Sequence, residues 1–202
     1  VPQKNIKMLG RMPLVNYALA TMNRIRSIDE IVVFASESSI RNYIRPDLKY
    51  RLIERPAFLD TQEAKVQDLI REFLKVHDAD IILMFHLTSP FLRPETVDEC
   101  IEKVRDGEYD SAFTAFSIER RCWFKGRPLN FSSNKNQEKL EPVIVEHSLY
   151  IFRRKVFETA GRRISVNPYI KIVDQIEGHD IDTPEDFRIA ELIVNTGLFE
   201  LK

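Results

Sequence analysis

The sequence predicts an α/β fold with a mainly parallel sheet covered by helices on both faces. Two observations carry this: short β-branched apolar runs, and amphipathic helical stripes that alternate with them along the chain. Ile31-Val32-Val33-Phe34-Ala35 and Ile81-Ile82-Leu83-Met84-Phe85 show no polar alternation, as strands buried on both faces require. Between them Val66, Leu69, Ile70, Phe73 and Leu74 form one helical stripe. Strand, crossover helix and strand at this spacing give a right-handed βαβ unit, whose ligands sit beyond the carboxyl ends of the strands.

Taken in order, Leu14, Val15, Ala18, Leu19, Met22 and Ile25 recur at helical spacing, with Pro13 suited to the first turn. After the first apolar strand, Ser36-Glu37-Ser38-Ser39 offers a helix cap. A second strand is expected over 50–54, then a long helix from about residue 61. The second apolar strand leads into a loop over 86–93. A helix from Pro94 follows and buries Val97, Cys100, Ile101 and Val104, then a strand over 111–117. Residues 119–141 are polar, partly basic, without a clear period, and carry the only Trp, so they read as an insertion or arm. Regular structure resumes over 143–152, with a short helix around Val156, a strand over 169–173 and a last helix over 184–194 closed by Gly197. Thr183 is a good N-cap, since its hydroxyl and the following Glu185 and Asp186 answer the unpaired amides of the first turn. No internal repeat appears, and residues 1–202 read as a single domain.

Composition narrows the function. Thirty Lys and Arg against thirty-one Asp and Glu leave a formal net charge of -1, so no global field draws nucleic acid or an anionic membrane. Any anion binding must be local. No apolar run approaches the ~18–20 residues that span a bilayer, and no charged-then-apolar leader opens the sequence. Cys100 reads as a small core residue rather than half of a disulfide, which points to a reducing, cytoplasmic location. Val1 is not an initiator Met, and residues upstream of it are expected.

Three constellations carry candidate chemistry. In His179-Asp180-Ile181-Asp182-Thr183, an extended backbone would point Asp180 and Asp182 to one side and Ile181 into the core. Paired carboxylates suit a hard cation such as Mg²⁺, completed by water and phosphate oxygens; equally, they suit the start of the helix that follows. His86-Leu87-Thr88-Ser89-Pro90 lies after a buried strand, where it either meets a ligand or caps the next helix. Arg55-Pro56 and Lys4-Asn5 offer donors that could meet phosphate or a base, or stand as ordinary surface cations. The glycine patterns of P-loop and dinucleotide sites are absent, as is zinc-ligand spacing.

The order of these pieces resembles the cytidylyltransferases that activate acylneuraminic and related ulosonic acids, over nearly the whole chain. Pro2-Gln3-Lys4-Asn5-Ile6 is similar to the end of that family's phosphate loop, Arg55-Pro56 to its nucleotide-site Arg-Pro, His86-Leu87-Thr88-Ser89-Pro90 to its Gln-Pro-Thr-Ser-Pro, and Asp180-Ile181-Asp182 to its Mg²⁺ motif. The resemblance implies a three-layer α/β/α sandwich with a Rossmann-like nucleotidyltransferase sheet. It also implies a homodimer joined by a protruding arm over 119–141. The implied reaction is attack of a sugar hydroxyl on the α-phosphate of CTP, with release of pyrophosphate and transfer of CMP to an acidic 2-keto sugar. Asp180 and Asp182 would hold Mg²⁺ and, with Lys4, form the catalytic set. Asn5, Arg55, Thr88 and Ser89 would line the nucleotide, the last two reaching towards the sugar, while His86, Gln137 and Glu146 would face the sugar itself.

This chain departs from the pattern on the sugar side. His86 replaces a Gln, Asn136-Gln137-Glu138 replaces Arg-Gln-Asp, Glu146-His147-Ser148-Leu149-Tyr150 lacks an Asn-Gly, and Arg11-Met12-Pro13-Leu14 replaces Gly-Lys-Pro-Leu. The phosphate loop and the strand before it would lie upstream of Val1. Two alternatives therefore stay open: the same fold using another nucleoside triphosphate or a sugar phosphate, and a weakened nucleotide-binding subunit.

Overall fold

The computed structural model of the chain describes residues 3–132 and 139–200. After a 3₁₀ turn at Lys4–Ile6 come a two-residue hairpin, β1 (Met8–Leu9) and β2 (Met12–Pro13), and helix α1 (Val15–Met22). Strands β3 (Val32–Ala35) and β4 (Arg51–Glu54) follow, then α2 (Val66–Val76), β5 (Ile81–Phe85), α3 (Pro94–Arg105) and β6 (Ser111–Ile118). A second small hairpin, β7 (Trp123–Phe124) and β8 (Arg127–Pro128), precedes β9 (Val143–Arg153), α4 (Arg154–Ala160), β10 (Pro168–Ile172) and α5 (Pro184–Asn195).

The central sheet has the order β10-β6-β9-β5. Strands β10 and β6 are parallel, whereas β9 runs antiparallel to both β6 and β5, so the sheet is mixed. The parallel pair β3–β4 forms a separate ladder. Apolar runs identify buried strands but do not encode direction, which is why the reversal of β9 is invisible in the sequence.

Strand alternation builds the three layers. From β9, Leu149 and Ile151 pack with Val97, Cys100, Ile101 and Val104 of α3 on one face. Tyr150 and Phe152 pack with Ile70 of α2 and Phe157 of α4 on the other. Fully burying a side chain of this size stabilises by roughly 1.5–3 kcal/mol, so each face is anchored by several such contributions. Burial pushes the Cys100 thiol up to about 12, which makes it an inert core residue. A third cluster, Leu9, Leu14, Phe91, Ile181 and Phe187 among its members, seats α5 against the first hairpin.

Two local outcomes differ from the sequence reading. The helix expected from about residue 61 begins at Val66, because residues 57–60 spend their amides in a 3₁₀ turn and the Asp68 carboxylate accepts the Lys65 amide at 3.0 Å, fixing the helix start there. The Ser36–Ser39 run leads into a 3₁₀ helix, Ser38–Tyr43, with no side-chain cap bond. Gln137 lies outside the described residues.

Helix α2 covers two strands that do not pair with one another. Its Phe73 ring meets Phe34 of β3 at 5.5 Å, while its Ile70 packs with Ile82 of β5. Strand β3 bonds only to β4, and β5 only to β9. Each therefore presents one open edge among the described residues.

Candidate active site

Because β9 is antiparallel to its neighbours, the carboxyl ends of β5, β6 and β10 and the amino end of β9 share one sheet edge. The chain turns there directly after β5. The His86 amide continues the ladder to Ser148 O at 3.3 Å, and the Ser89 amide closes back on His86 O at 3.1 Å. The Ile181 amide donates to Thr88 O at 2.9 Å, which docks the Asp180-Ile181-Asp182 segment against this turn.

Opposite the turn, β9 carries a bulge. Its register with β6 passes from Phe113↔Tyr150 to Ala115↔Glu146, setting three residues of β9 against Thr114 alone. Bulges of this kind re-aim side chains beside functional sites. Here the result is that two consecutive polar residues, His147 and Ser148, are both buried, at 5% and 4% exposure. The Ser89 hydroxyl, itself fully buried, donates to Asp180 Oδ1 at 3.2 Å and stands 3.3 Å from His147 Nε2. It also accepts a hydrogen bond from the Ser148 hydroxyl. Thr114 Oγ1 lies 3.5 Å from His147 Nδ1. Burial holds the His147 imidazole below the usual histidine value, against the pull of Asp180. Sequence reasoning missed His147, Ser148 and Thr114. The one available signal is the polar run Glu146-His147-Ser148 interrupting an otherwise apolar strand.

The second aspartate is held differently. Lys4 Nζ donates to Ile181 O at 2.8 Å and to Asp182 Oδ1 at 3.2 Å, bringing together residues 178 apart in sequence. Ile181 between the two aspartates is fully buried, whereas the Asp182 side chain is 73% exposed. An ion pair so open contributes under about 1 kcal/mol, so the lysine and carboxylate are readily available to a ligand. Behind them, Thr183 caps α5: its amide and that of Asp182 donate to the Asp186 carboxylate, and its hydroxyl accepts the Asp186 amide. Glu177, 2% exposed, accepts the Arg93 amide at 2.9 Å and meets its guanidinium at 3.2 Å, tying the 174–180 loop to the start of α3. Burial raises the Glu177 carboxyl pKa, and Arg93 opposes that shift.

His86 stands where these charges converge. Burial, then the Arg163 guanidinium, holds its imidazole below the usual value, while Asp180 and Asp182 pull it up. Its Nε2 is buried without a hydrogen-bond partner. Its ring lies 5.6 Å from that of Tyr150, whose hydroxyl donates to Glu146. Thus Lys4, His86, Thr88, Ser89, Glu146, Asp180 and Asp182 meet at one edge. Arg55 follows β4 and is bound to Asp60, with its Nε buried and unpartnered. No hydrogen bond or ion pair among the described residues joins that group to the aspartates. Asn5 is exposed on the first 3₁₀ turn.

Asp180 and Asp182 are the oxygen donors suited to a divalent ion. Among the described residues no group of three or more His, Cys, Asp or Glu is placed to hold one. Two carboxylates alone fit Mg²⁺, which keeps several waters and takes phosphate oxygens from its substrate rather than a complete protein cage.

A profile of the family described as Cytidylyltransferase matches residues 1–199. This chain belongs to the cytidylyltransferase family. Within it, the chain is 26% identical to N-acylneuraminate cytidylyltransferase A of Danio rerio, covering 95% of this chain and 47% of that protein. It is 24% identical to N-acylneuraminate cytidylyltransferase of Oncorhynchus mykiss, covering 100% and 49%. The chain thus spans about half the length of these curated relatives. Among solved structures it is similar to a CMP:2-keto-3-deoxy-manno-octonic acid synthetase complexed with CTP, at a TM-score of 0.72 and 14% identity, covering 97% of this chain and 93% of that one. A 4-diphosphocytidyl-2C-methyl-D-erythritol synthase from Anaerococcus prevotii gives 0.66 and 15%, covering 93% and 88%. Likeness at these identities establishes that the cytidylyltransferase-family chain shares their α/β fold.

Proposed function

We propose that this chain is the catalytic domain of an enzyme that transfers CMP from CTP to an acidic 2-keto sugar and releases pyrophosphate. Family membership supports the reaction class, and the names of the acylneuraminate relatives support the acceptor class. One observation carries the reading: Lys4 rests on Asp182 while Ser89 rests on Asp180, so a cation and two carboxylates stand together on the edge where α/β sheets bind ligands. Displacement at phosphorus needs positioned charge more than covalent chemistry.

In this reading Asp180 and Asp182 hold Mg²⁺, which when bound neutralises charge on the triphosphate. Lys4 would exchange its bond to Asp182 for a phosphate oxygen. Asn5 and Arg55 address the nucleotide, with Thr88 and Ser89 between nucleotide and sugar. His86, Gln137 and Glu146 face the acceptor. The open edges of β3 and β5 support a further strand between them, preceding Lys4 and ending in a phosphate-binding loop. The hairpin exposes Trp123 and Phe124 at 63% and 61%, with Leu129 beside them at 54%, which supports an arm that docks on a second copy to make a homodimer. Two free cysteines support a cytoplasmic site of action, and among the described residues no helix is long and apolar enough to cross a membrane.

A thermal-shift panel of nucleoside triphosphates with Mg²⁺ tests the nucleotide. CTP at 100 times its Kd should stabilise by ~2.7 kcal/mol. A shift with another triphosphate and none with CTP would reject this reading in favour of the same fold serving a different nucleotide.

A further inference from the structure

The cluster around Tyr150 has a cation for which the roles above find no use. The Arg163 guanidinium lies over the Tyr150 ring, 3.4 Å from its centroid. Stacking of this kind fixes the plane of the fork while leaving its N–H groups free to bond at the edges. Those edges are poorly served. Among the described residues Arg163 meets only Glu146 Oε1, at 3.5 Å, and the Met84 sulfur, at 3.9 Å. The same Glu146 oxygen already accepts the Tyr150 hydroxyl. Arg163 also lines an open hollow of about 350 Å³ together with Val66, Gln67, Ile70, Arg162 and Ile164. Tyr150 also neighbours His86, with its buried and unpartnered Nε2.

We infer that Arg163 is the specificity residue of this site, receiving the carboxylate of the acceptor sugar while the sugar's chain enters the adjoining cavity and His86 meets one of its polar groups. The inference rests on the proposed reaction for the identity of the acceptor, and on geometry for the place. A stacked, half-satisfied guanidinium takes a carboxylate in a bidentate, charge-assisted pair, whereas a lysine would offer a single point.

The test uses the full-length protein. Arg163→Gln should raise the acceptor KM by about 10- to 100-fold while the CTP KM stays within about twofold, as expected for loss of a charge-assisted bond to one substrate. Arg163→Lys should recover part of that loss. Independently, an N-acylneuraminate should protect Arg163 from phenylglyoxal, located by fragment mass spectrometry, and its methyl ester should not. Protection by the acid without pyrophosphate release from CTP would sink the proposed reaction and leave the anion site standing. Pyrophosphate release with an unprotected Arg163 and an unchanged acceptor KM would sink the anion site alone.

Discussion

At the residue scale the site rests on side chains whose partners are far apart in sequence. Asp182 is held by a lysine near the start of the chain, and Asp180 by a serine in the turn after β5. Replacing Asp182 by Ala should lower the rate of pyrophosphate release about 100-fold or more, the usual size of effect for removing one preorganised charge, and a steady-state assay with CTP and an acidic sugar checks it. His147 is a different kind of residue. Its ring is buried among the hydroxyls of Ser89, Thr114 and Ser148, so His147→Phe removes those polar contacts and sets a larger apolar ring against them, and should destabilise by about 1–3 kcal/mol in urea titrations. The Asp pair and the 86–89 turn stand out in the sequence by type and spacing, and the structure brings them together, whereas Arg55 stands apart from them on Asp60. Arg163 and His147 were not legible in the sequence. An arginine beside another arginine in a loop reads as solvated charge until the fold lays it on an aromatic ring.

Elements place these residues through a few local devices. The Thr183 cap sets the first turn of α5 directly behind Asp182, and Thr183→Ala should cost ~1 kcal/mol of stability, read from the shift in urea midpoint. That cap was visible in the sequence, because a threonine three residues before an aspartate lets each side chain accept the other's amide. Gly10 is harder to replace. Its φ is +59°, and an added Cβ would approach Val194 Cγ1 to 2.6 Å, so both backbone strain and a clash oppose any side chain in the first hairpin. The β9 bulge had no sequence signature beyond its polar interruption, since two-residue alternation does not report how many residues face each partner. For the β7–β8 hairpin, replacing Trp123 and Phe124 together by Ser should convert a dimer to a monomer by light scattering if the arm docks on a second copy. A variant that kept the dimer mass would contradict that role.

The molecule as a whole is an α/β sandwich whose layers follow from apolar runs and amphipathic stripes, so the layering was readable from the sequence. Strand direction and the separation of β3–β4 from the central sheet were not, because pairing depends on contacts that no local pattern records. A longer chain carrying residues before Val1 should show slower amide exchange at 32–35 and 81–85 than residues 1–202 alone. Equal exchange would argue against a strand between the two edges. Stability should also depend on pH in a defined window. His86 and His147 both have folded pKa values held below the ordinary histidine value of about 6.5, so the unfolded chain binds more protons as pH falls through that value. Their contribution is present above about pH 6.5 and is lost as pH falls from there towards the lower folded values. The lowered carboxyls of Asp60, Asp174 and Asp186 act only at more acidic pH, and buried Glu177 acts in the opposite sense. Urea midpoints at pH 7.5 and 5.5 should therefore differ, and by less in His147→Phe.

Pyrophosphate release by the full-length protein, followed with CTP and Mg²⁺ in the presence and absence of a 2-keto sugar acid, addresses the functional proposal most directly. Release that requires the acid, and that collapses in Asp182→Ala, is the predicted result. Release that ignores the acid, or that survives undiminished without the Asp182 carboxylate, would contradict it.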